Sequence, residues 1–491
     1  MRVILAGYNV DTEALKDRRK QPSALTPESI AAAYARISRS AKSVDVLRRD
    51  ARQEVKKART SNRRIIFNMG HHSIAEHAVF NFDIIGISRR AVEELEKFRL
   101  CSYTEKSQRY VTLKGDYVVP GELTDTRVSQ DFRNIIKRQN ALYIRLYDKI
   151  KAYNIHASSK LSQTQSGLRT LENLAKEDAR YILSMATQTQ LGATMNARNL
   201  ELIIRRCASH NLEEMSELGT KLYRCVHKVA PSVILFCDAN DYDQKTYFQL
   251  RSYCRTLMGK ARSRTHDDVA LVDYTRNADA KILAALLFRS TQREHATCMR
   301  MVQRMAQKRR IDLFKKACQY MELYDVAPRE FECAQLTYSL TVSSACFGQL
   351  KRHRISTLVC QEYDPQLGYT VPESVQAVGE TKQFAEIIKQ TEDLYHRIEK
   401  KHSGVGSYIL TNAHRKRVLV SFNVRELYHI SRLREDSTAQ WDIRDKAHKM
   451  TRLAKKIMPV TTQLLGGKED YPRIYCKLFG KKPRVTEVPE P

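Results

Sequence analysis

Gln349, Arg352 and His353 stand at i, i+3 and i+4, so a helix places all three on one face, and Arg354 follows directly. Two guanidinium forks beside an imidazole and an amide form a donor-rich surface that suits phosphate and a polar ring. The pattern also suits a basic helix end, where Arg and His complement the helix dipole. Upstream, Glu105, Ser107 and Arg109 alternate, which on an extended segment points all three to one side. A hydroxyl and a guanidinium there can hold a phosphate, and the carboxylate a ribose hydroxyl. A cross-strand polar cluster fits equally well. Ser107 has no His and Asp partners nearby in sequence, so the pattern alone gives it no nucleophilic role.

The run Gly70–His77 (GHHSIAEH) holds three histidines. Its spacing is not HExxH and no thiolate cluster accompanies it, so no metal site is expected. A turn that hydrogen-bonds a cofactor is the functional reading, and a capped turn into a strand the plainer one. Asn423, with Glu426 three residues on, has the spacing of a capping box. The helix it opens carries Arg425 and His429 as i, i+4 neighbours, with Arg434 more than two turns beyond Arg425. Eleven cysteines are dispersed without a CxxC pair, which suits a reducing compartment. Cys101, Cys207 and Cys360 read as small packing residues.

The elements that must position these residues occur twice. Residues 79–87 (VFNFDIIGI) and 335–342 (QLTYSLTV) alternate as half-buried strands do, and each runs at once into a helix. An extended piece follows each helix, Asp116–Pro120 and Gly368–Pro372. Tyr181-Ile182-Leu183 leads to Asn196-Ala197-Arg198-Asn199-Leu200. Tyr408-Ile409-Leu410 leads to Asn423-Val424-Arg425-Glu426-Leu427 with the same Tyr-to-Asn spacing. Three matches in one order mark a tandem duplication. The repeats are expected over 1–245 and 246–491, with a seam in the polar stretch between about 240 and 267. Amphipathic helices are expected over 27–60, 171–193, 279–322, 380–402 and 423–457, and strands at Met1–Ala6 and Asp268–Asp273. Few strands with many helices make each repeat α+β.

The 491-residue chain is 42% hydrophobic and 28% charged, the balance of a folded protein and not a disordered one. Lys and Arg number 84 against 55 Asp and Glu, a net charge of +29. That excess points to anionic partners, phosphate-bearing small molecules or nucleic acid. No apolar run nears the ~18 residues of a membrane span. The opening Met1–Ala6 is too short for a secretory signal, so a cytoplasmic protein without membrane attachment is expected.

Taken together these pieces resemble the flavin-dependent thymidylate synthases. The first half matches through Gly70–Phe82, Ser107-Gln108-Arg109-Tyr110 and Glu177-Asp178-Ala179-Arg180. The second matches through Gln349–Arg354 and through Arg434 with Ala439-Gln440-Trp441-Asp442-Ile443-Arg444. Both halves also depart from the family pattern. In the first, the Arg-His-Arg place reads Lys97-Phe98-Arg99, the Gln place reads Glu94, and the uracil-side Arg falls at Arg206 or Cys207. In the second, the Ser and Arg places read Glu362 and Asp364, Arg180 becomes Ser407, and the flavin-contacting His is missing around Tyr324–Glu330.

The resemblance implies two tandem α+β repeats, each a small sheet with long helices. It implies conversion of dUMP to dTMP, with methylenetetrahydrofolate giving its one-carbon unit to C5 and FAD, reduced by NADPH, giving a hydride. By the same resemblance Arg434 and Ser107 are the catalytic positions, Arg434 stabilising negative charge on the uracil. Glu105, Ser107, Arg109, Arg180, Gln349, Arg352 and Arg434 would bind dUMP. His71, Ser73, Glu76, Asn196, Arg198, Arg352, His353, Arg354, Asn423, Arg425 and His429 would bind FAD.

Family sites are assembled between protomers of a tetramer. Here each half keeps what the other lost, so the implied site takes Ser107 and Arg109 from one copy and Gln349, Arg352 and Arg434 from another. A homodimer carrying four repeats is expected, with at most two working sites. In the other pair Glu362 and Asp364 would face the phosphate, each like-charge contact costing on the order of 4 kcal/mol at an effective dielectric of ~20. The alternative is a non-catalytic member that binds nucleotide or nucleic acid. It is motivated by Lys56-Lys57-Ala58-Arg59, Lys308-Arg309-Arg310, His414-Arg415-Lys416-Arg417 and Lys481-Lys482-Pro483-Arg484.

Overall fold

The computed structural model describes residues 1–16, 24–259 and 267–485. The last part of the expected seam, 260–266, lies outside them. Along the first repeat come β1 (Arg2–Tyr8), α1 (Glu28–Arg36), α2 (Val44–Gln53), α3 (Val55–Asn62), β2 (Val79–Ser88), α4 (Arg89–Leu95) and β3 (Ser102–Glu105). Then follow α5 (Thr126–Ala157), α6 (Gln165–Ala179), β4 (Gln188–Asn196), α7 (Ala197–Ala208) and α8 (Glu213–His227), with α9 (Asp241–Met258) at the seam. The second repeat opens with β5 (Val269–Tyr274), α10 (Ala278–Ser290), α11 (His295–Arg304), α12 (Gln307–Cys318), β6 (Gln335–Ser343), α13 (Ser344–Leu350) and β7 (Thr357–Cys360). It closes with α14 (Thr381–Lys401), β8 (Arg415–Asn423), α15 (Val424–Arg434), α16 (Trp441–Ile457) and α17 (Tyr471–Phe479).

Each repeat builds one four-stranded antiparallel sheet, and the two have the same order, β1-β2-β4-β3 and β5-β6-β8-β7. The central pairs share their ends: Val79 opposes Asn196 in one sheet and Gln335 opposes Asn423 in the other. Period-two alternation explains both faces. Phe80, Phe82 and Ile84 of β2 and Leu336, Tyr338 and Leu340 of β6 are buried, each stabilising by about 1.5–3 kcal/mol. The chain is therefore two tandem copies of one α+β fold.

Packing divides the chain into two compact units. One holds Met1–Arg262 and Val371–Asn412, the other Ser263–Thr370 and Ala413–Pro491. The first unit thus includes α14 from the second repeat. Buried Leu394 and Ile398 of α14 join its core, and Gln139 of α5 donates to Thr391 Oγ1 at 2.9 Å. Where the first repeat has α5 and α6 before its Tyr181, the second has only α14 as a long helix before Tyr408.

Four of the expected helices are interrupted. The 27–60 and 279–322 stretches each become three helices, and 423–457 breaks where Gln440 caps α16. In 171–193 the helix stops at Ala179, and β4 begins at Gln188. There Leu191, Ala193 and Met195 are good helix formers, but every second residue is buried, and the pairing of β2 decides the conformation.

Candidate active site

In the second unit the Ser343 hydroxyl caps α13, accepting from Cys346 N at 3.0 Å and donating to Asp442 Oδ2 at 2.6 Å. The helix ends at Leu350, with His353 N bonding back to Leu350 O at 3.1 Å. Gln349 therefore stands on the helix while Arg352 and His353 lie on the tight turn behind it, and the expected shared helical face does not form. The turn nevertheless buries His353, which is 2% exposed.

Helix α15 supplies what His353 meets. Arg434 Nε–H donates to His353 Nε2 at 2.9 Å, and His353 Nδ1 lies 3.0 Å from Glu426 Oε1. A donor aimed at Nε2 needs the lone pair there, so the ring proton sits on Nδ1 and the imidazole is neutral. Burial, with Arg434 beside it, pushes His353 down to about 4 despite the opposing bond to Glu426. Burial by itself would raise Glu426; hydrogen bonds from His353 and His429 outweigh it and bring the carboxyl down to about 2. His353, Glu426 and His429 could gather round a cation. With His353 Nε2 engaged by Arg434, the arrangement reads as a hydrogen-bonded chain that holds the guanidinium.

Arg434 also donates to Gln349 O at 3.3 Å. The Gln349 amide donates to Gln440 Oε1 at 3.4 Å, while its own Oε1 is buried with no partner in the protein. That oxygen is the kind of orphan a ligand satisfies. Asn423 forms half of the expected capping box, accepting from Glu426 N at 2.8 Å; the Glu426 side chain turns to His353 instead of returning to Asn423. Arg425 is directed to Ala327 O at 2.8 Å and Glu332 Oε1 at 2.9 Å, and His429 is half exposed, 3.4 Å from Glu426. Arg352 is half-buried and Arg354 exposed.

In the first unit, β3 ends at Glu105, which pairs with Arg89 at 2.5 Å. The chain then turns at Ser107, whose Oγ accepts from Arg109 N at 3.1 Å, so the expected one-sided alternation stops there. Arg109 Nε bonds Glu177 of α6, which brings Arg180 into the same group. Arg180 is 7% exposed; its Nε donates to Glu177 O at 3.2 Å, and one terminal nitrogen is buried without an acceptor. Burial lowers its proton affinity. A buried guanidinium with an unused N–H is a ready anion ligand.

The His72–His77 turn leads into β2, with Gly70 at φ 77° in the left-handed region before it. His71, His72 and Ser73 are exposed, and Glu76 pairs with Arg198 of α7 at 2.6 Å. Asn196 caps α7, accepting from Asn199 N at 2.9 Å.

A family model described as thymidylate synthase complementing protein matches residues 23–232 and again 270–460. The chain belongs to this family. It is similar over 434 residues, at 23% identity, to the UPF0159 protein of Chlamydia muridarum, covering 85% of this chain and 82% of that one. A flavin-dependent thymidylate synthase of Geobacter sulfurreducens is 34% identical over 173 residues, 34% of this chain and 65% of its own length. One from Clostridium tetani is 30% identical over 213 residues, 43% of this chain and 82% of its own. Among solved structures, a flavin-dependent thymidylate synthase from Helicobacter pylori complexed with FAD and dUMP matches at 20% identity and a TM-score of 0.29, covering 48% of this chain and 100% of that one.

The two copies of the family fold can be aligned position by position. Ser88 caps α4 and bonds Glu214 at 2.6 Å, just as Ser343 caps α13 and bonds Asp442 at 2.6 Å. Counting from these serines sets Phe98 against His353 and Glu362 against Ser107. Counting from the caps Asn196 and Asn423 sets buried Cys207 against Arg434, which decides between Arg206 and Cys207. In place of Gln349 stands Glu94, an acid bonded by both Arg90 and Lys97 at 2.5 Å. In place of Arg109 stands Asp364, which caps the Pro365–Leu367 turn. Nearby, the buried Lys416 ammonium lies 3.4 Å from the Phe347 ring and 4.5 Å from Tyr363.

The sequence does not show Glu426 and Gln440 as partners of the site, nor Glu177 as the acid that holds Arg109. Glu426 was visible only as a capping residue. The distance from Arg109 to Glu177 along the chain left no local signal for their pairing.

Proposed function

We propose that the chain is a flavin-dependent thymidylate synthase converting dUMP to dTMP with methylenetetrahydrofolate and reduced FAD, at sites to which both repeats contribute. The observation that carries this reading is complementary loss. The second repeat keeps the Glu426–His353–Arg434–Gln349 chain, where the first has Phe98, Cys207 and Glu94. The first keeps the Ser107, Arg109, Glu177 and Arg180 group, where the second has Glu362, Asp364 and Ser407. Two copies of the chain would then supply each site, Ser107, Arg109 and Arg180 from one and Gln349, Arg352 and Arg434 from the other.

The donor sets fit these ligands. Buried Arg180 and its unused N–H, with Arg109 and Ser107, suit a nucleotide phosphate, and Glu105 a ribose hydroxyl. Gln349 offers an unpaired carbonyl oxygen to a pyrimidine N–H. Arg434, held by neutral His353, places a fixed positive charge at the uracil, where negative charge develops as C5 becomes nucleophilic. Exposed His71 and Ser73, Glu76 with Arg198, and Arg352 to Arg354 would hold FAD, with Asn196 and Asn423 fixing the helices that carry Arg198, Arg425 and His429. FAD, when bound and reduced by NADPH, supplies the hydride that completes the methyl group. Orientation and charge are the protein's part, and no enzyme nucleophile is required.

The deciding experiment is tritium release from [5-³H]dUMP by purified protein supplied with FAD, NADPH and methylenetetrahydrofolate. Release that disappears in Arg434→Ala supports the reading. Absence of both release and flavin absorbance near ~450 nm would favour a non-catalytic binding protein.

A further inference from the structure

The second repeat carries a concentration of positive charge to which none of the proposed site residues belongs. From His295 to Cys318 the chain carries seven Lys and Arg against one acid, Asp312. Cys298, Val302, Phe314 and Cys318 bury the inner sides of α11 and α12. Arg310 is structural, donating to Val302 O and Gln303 O at 3.0 Å to close the end of α11. Arg300, Arg304, Lys308, Arg309 and Lys316 are exposed.

The turn after α12 adds aromatic rings to this charge. Tyr320 is 80% exposed and Tyr324 76% exposed. Buried tyrosines of α17 brace the turn from beneath: Tyr475 OH donates to Gln319 O, and Tyr471 OH to Met321 O at 2.6 Å. The segment leaving α17 brings more cations to the same turn. Lys481 Nζ lies 5.9 Å from the Tyr320 ring centre, and Arg484 Nε lies 3.7 Å from Glu322, offsetting that acid. One exposed tyrosine needs no explanation. Two, on a turn whose second acid, Asp325, is taken up by Glu322 N at 2.8 Å and which adjoins the basic α12, have the composition of a stacking platform beside an electrostatic surface.

We propose that α11, α12, the Gln319–Asp325 turn and Lys481–Arg484 form a binding surface for single-stranded nucleic acid. The exposed cations follow the phosphates, and Tyr320 and Tyr324 stack on unpaired bases. A duplex keeps its base faces inside and gives the tyrosines nothing to stack on. An anionic membrane would meet the charge and leave the rings without a specific role. The surface lies within one repeat and stands whether or not the thymidylate synthase reading holds.

Fluorescence anisotropy with full-length protein and a labelled oligothymidylate of about fifteen nucleotides tests this, over a salt series. Binding should weaken linearly in log–log form as salt rises. Tyr320→Ala and Tyr324→Ala should each weaken binding by about tenfold with little change of salt slope. Lys308→Glu with Arg309→Glu should lower both affinity and slope, with flavin content and melting temperature serving as controls for folding. The proposal is overturned if the strand does not bind at ~100 mM salt, or if a mononucleotide or FAD competes as well as the strand. Tighter binding to duplex DNA or to vesicles of anionic phospholipid overturns it too, as does full affinity in both tyrosine variants.

Discussion

Ser184 and Thr411 stand at the same position in the two repeats, each three residues past its repeat's Tyr181 or Tyr408, and they face each other across an antiparallel bridge. Met185 N donates to Leu410 O at 2.8 Å, and Asn412 N donates to Leu183 O at 2.9 Å. Leu183 matches Leu410 and Met185 matches Asn412, so each bond is the other with the repeats exchanged. That is the signature of an isologous contact, which a single-repeat protein makes only between two chains. Here one chain contains both partners.

A chain that already holds one such contact needs one further copy to present four repeats. Light scattering should therefore find a particle of about two chains, and flavin released by heat should approach about one per chain. A ratio near two flavins per chain, or full activity in a ~57 kDa monomer, defeats the composite site.

The matched serines give a stability test that does not involve ligands. Ser88→Ala removes the cap of α4 and the bond to Glu214; Ser343→Ala does the same to α13 and Asp442. Each should lower stability by about 1–2 kcal/mol, read as a shifted urea midpoint with unchanged slope. Glu214 keeps its bonds from Ser88 N and Tyr408 OH, and Asp442 keeps Lys446 at 3.7 Å, so neither substitution strands its carboxylate.

The duplication was legible because strand alternation and the Tyr-to-Asn spacing are local properties of the chain. The Asn423 cap announces itself in the same way, through Glu426 three residues on, whereas the caps at Ser88, Ser343 and Asn196 emerge from the structure. Long-range pairing is different. Nothing near Arg109 in sequence names Glu177, and nothing near His353 names Arg434; those partners are chosen by how α6 and α15 pack. The 171–193 stretch shows the same limit, since its residues tolerate a helix and only the neighbouring β2 makes part of it a strand.

Acid should destabilise the second unit through His353 before the carboxylates respond. Its folded pKa of about 4 lies below the usual ~6.5, so between those values the unfolded chain takes a proton that the folded chain refuses. Stability contributed by neutral His353 is present above pH ~6.5 and is lost as pH falls towards ~4. Glu426, brought down to about 2, loses its contribution at still lower pH, in the same direction. His353→Phe, which installs the first repeat's residue, should remove the upper part of this acid dependence and lower stability at neutral pH. Urea unfolding at several pH values measures it; an identical profile for wild type and variant would contradict the neutral, buried imidazole.

The composite site makes the most demanding prediction. If Arg109 and Arg352 grip one nucleotide, Arg109→Ala, Arg352→Ala and Arg434→Ala should each weaken dUMP binding by roughly 1.5–3 kcal/mol, as expected for hydrogen bonds to a charged ligand. Arg109→Ala combined with Arg352→Ala should be non-additive, because groups in one network couple and distant ones do not. Lys97→Ala and Glu362→Ala, at the mismatched positions, should leave affinity nearly unchanged. Glu94 separates the two kinds of effect. It is buried against Arg90, which also donates to Ser407 Oγ at 2.8 Å, so Glu94→Ala breaks one bond of a buried guanidinium and should destabilise folding by about 1–3 kcal/mol without changing dUMP affinity in the folded fraction. Calorimetric titration with dUMP at fixed salt, paired with urea unfolding, reads both quantities. Additive losses for Arg109 and Arg352, or a large affinity loss in Lys97→Ala, would place the nucleotide in a different site.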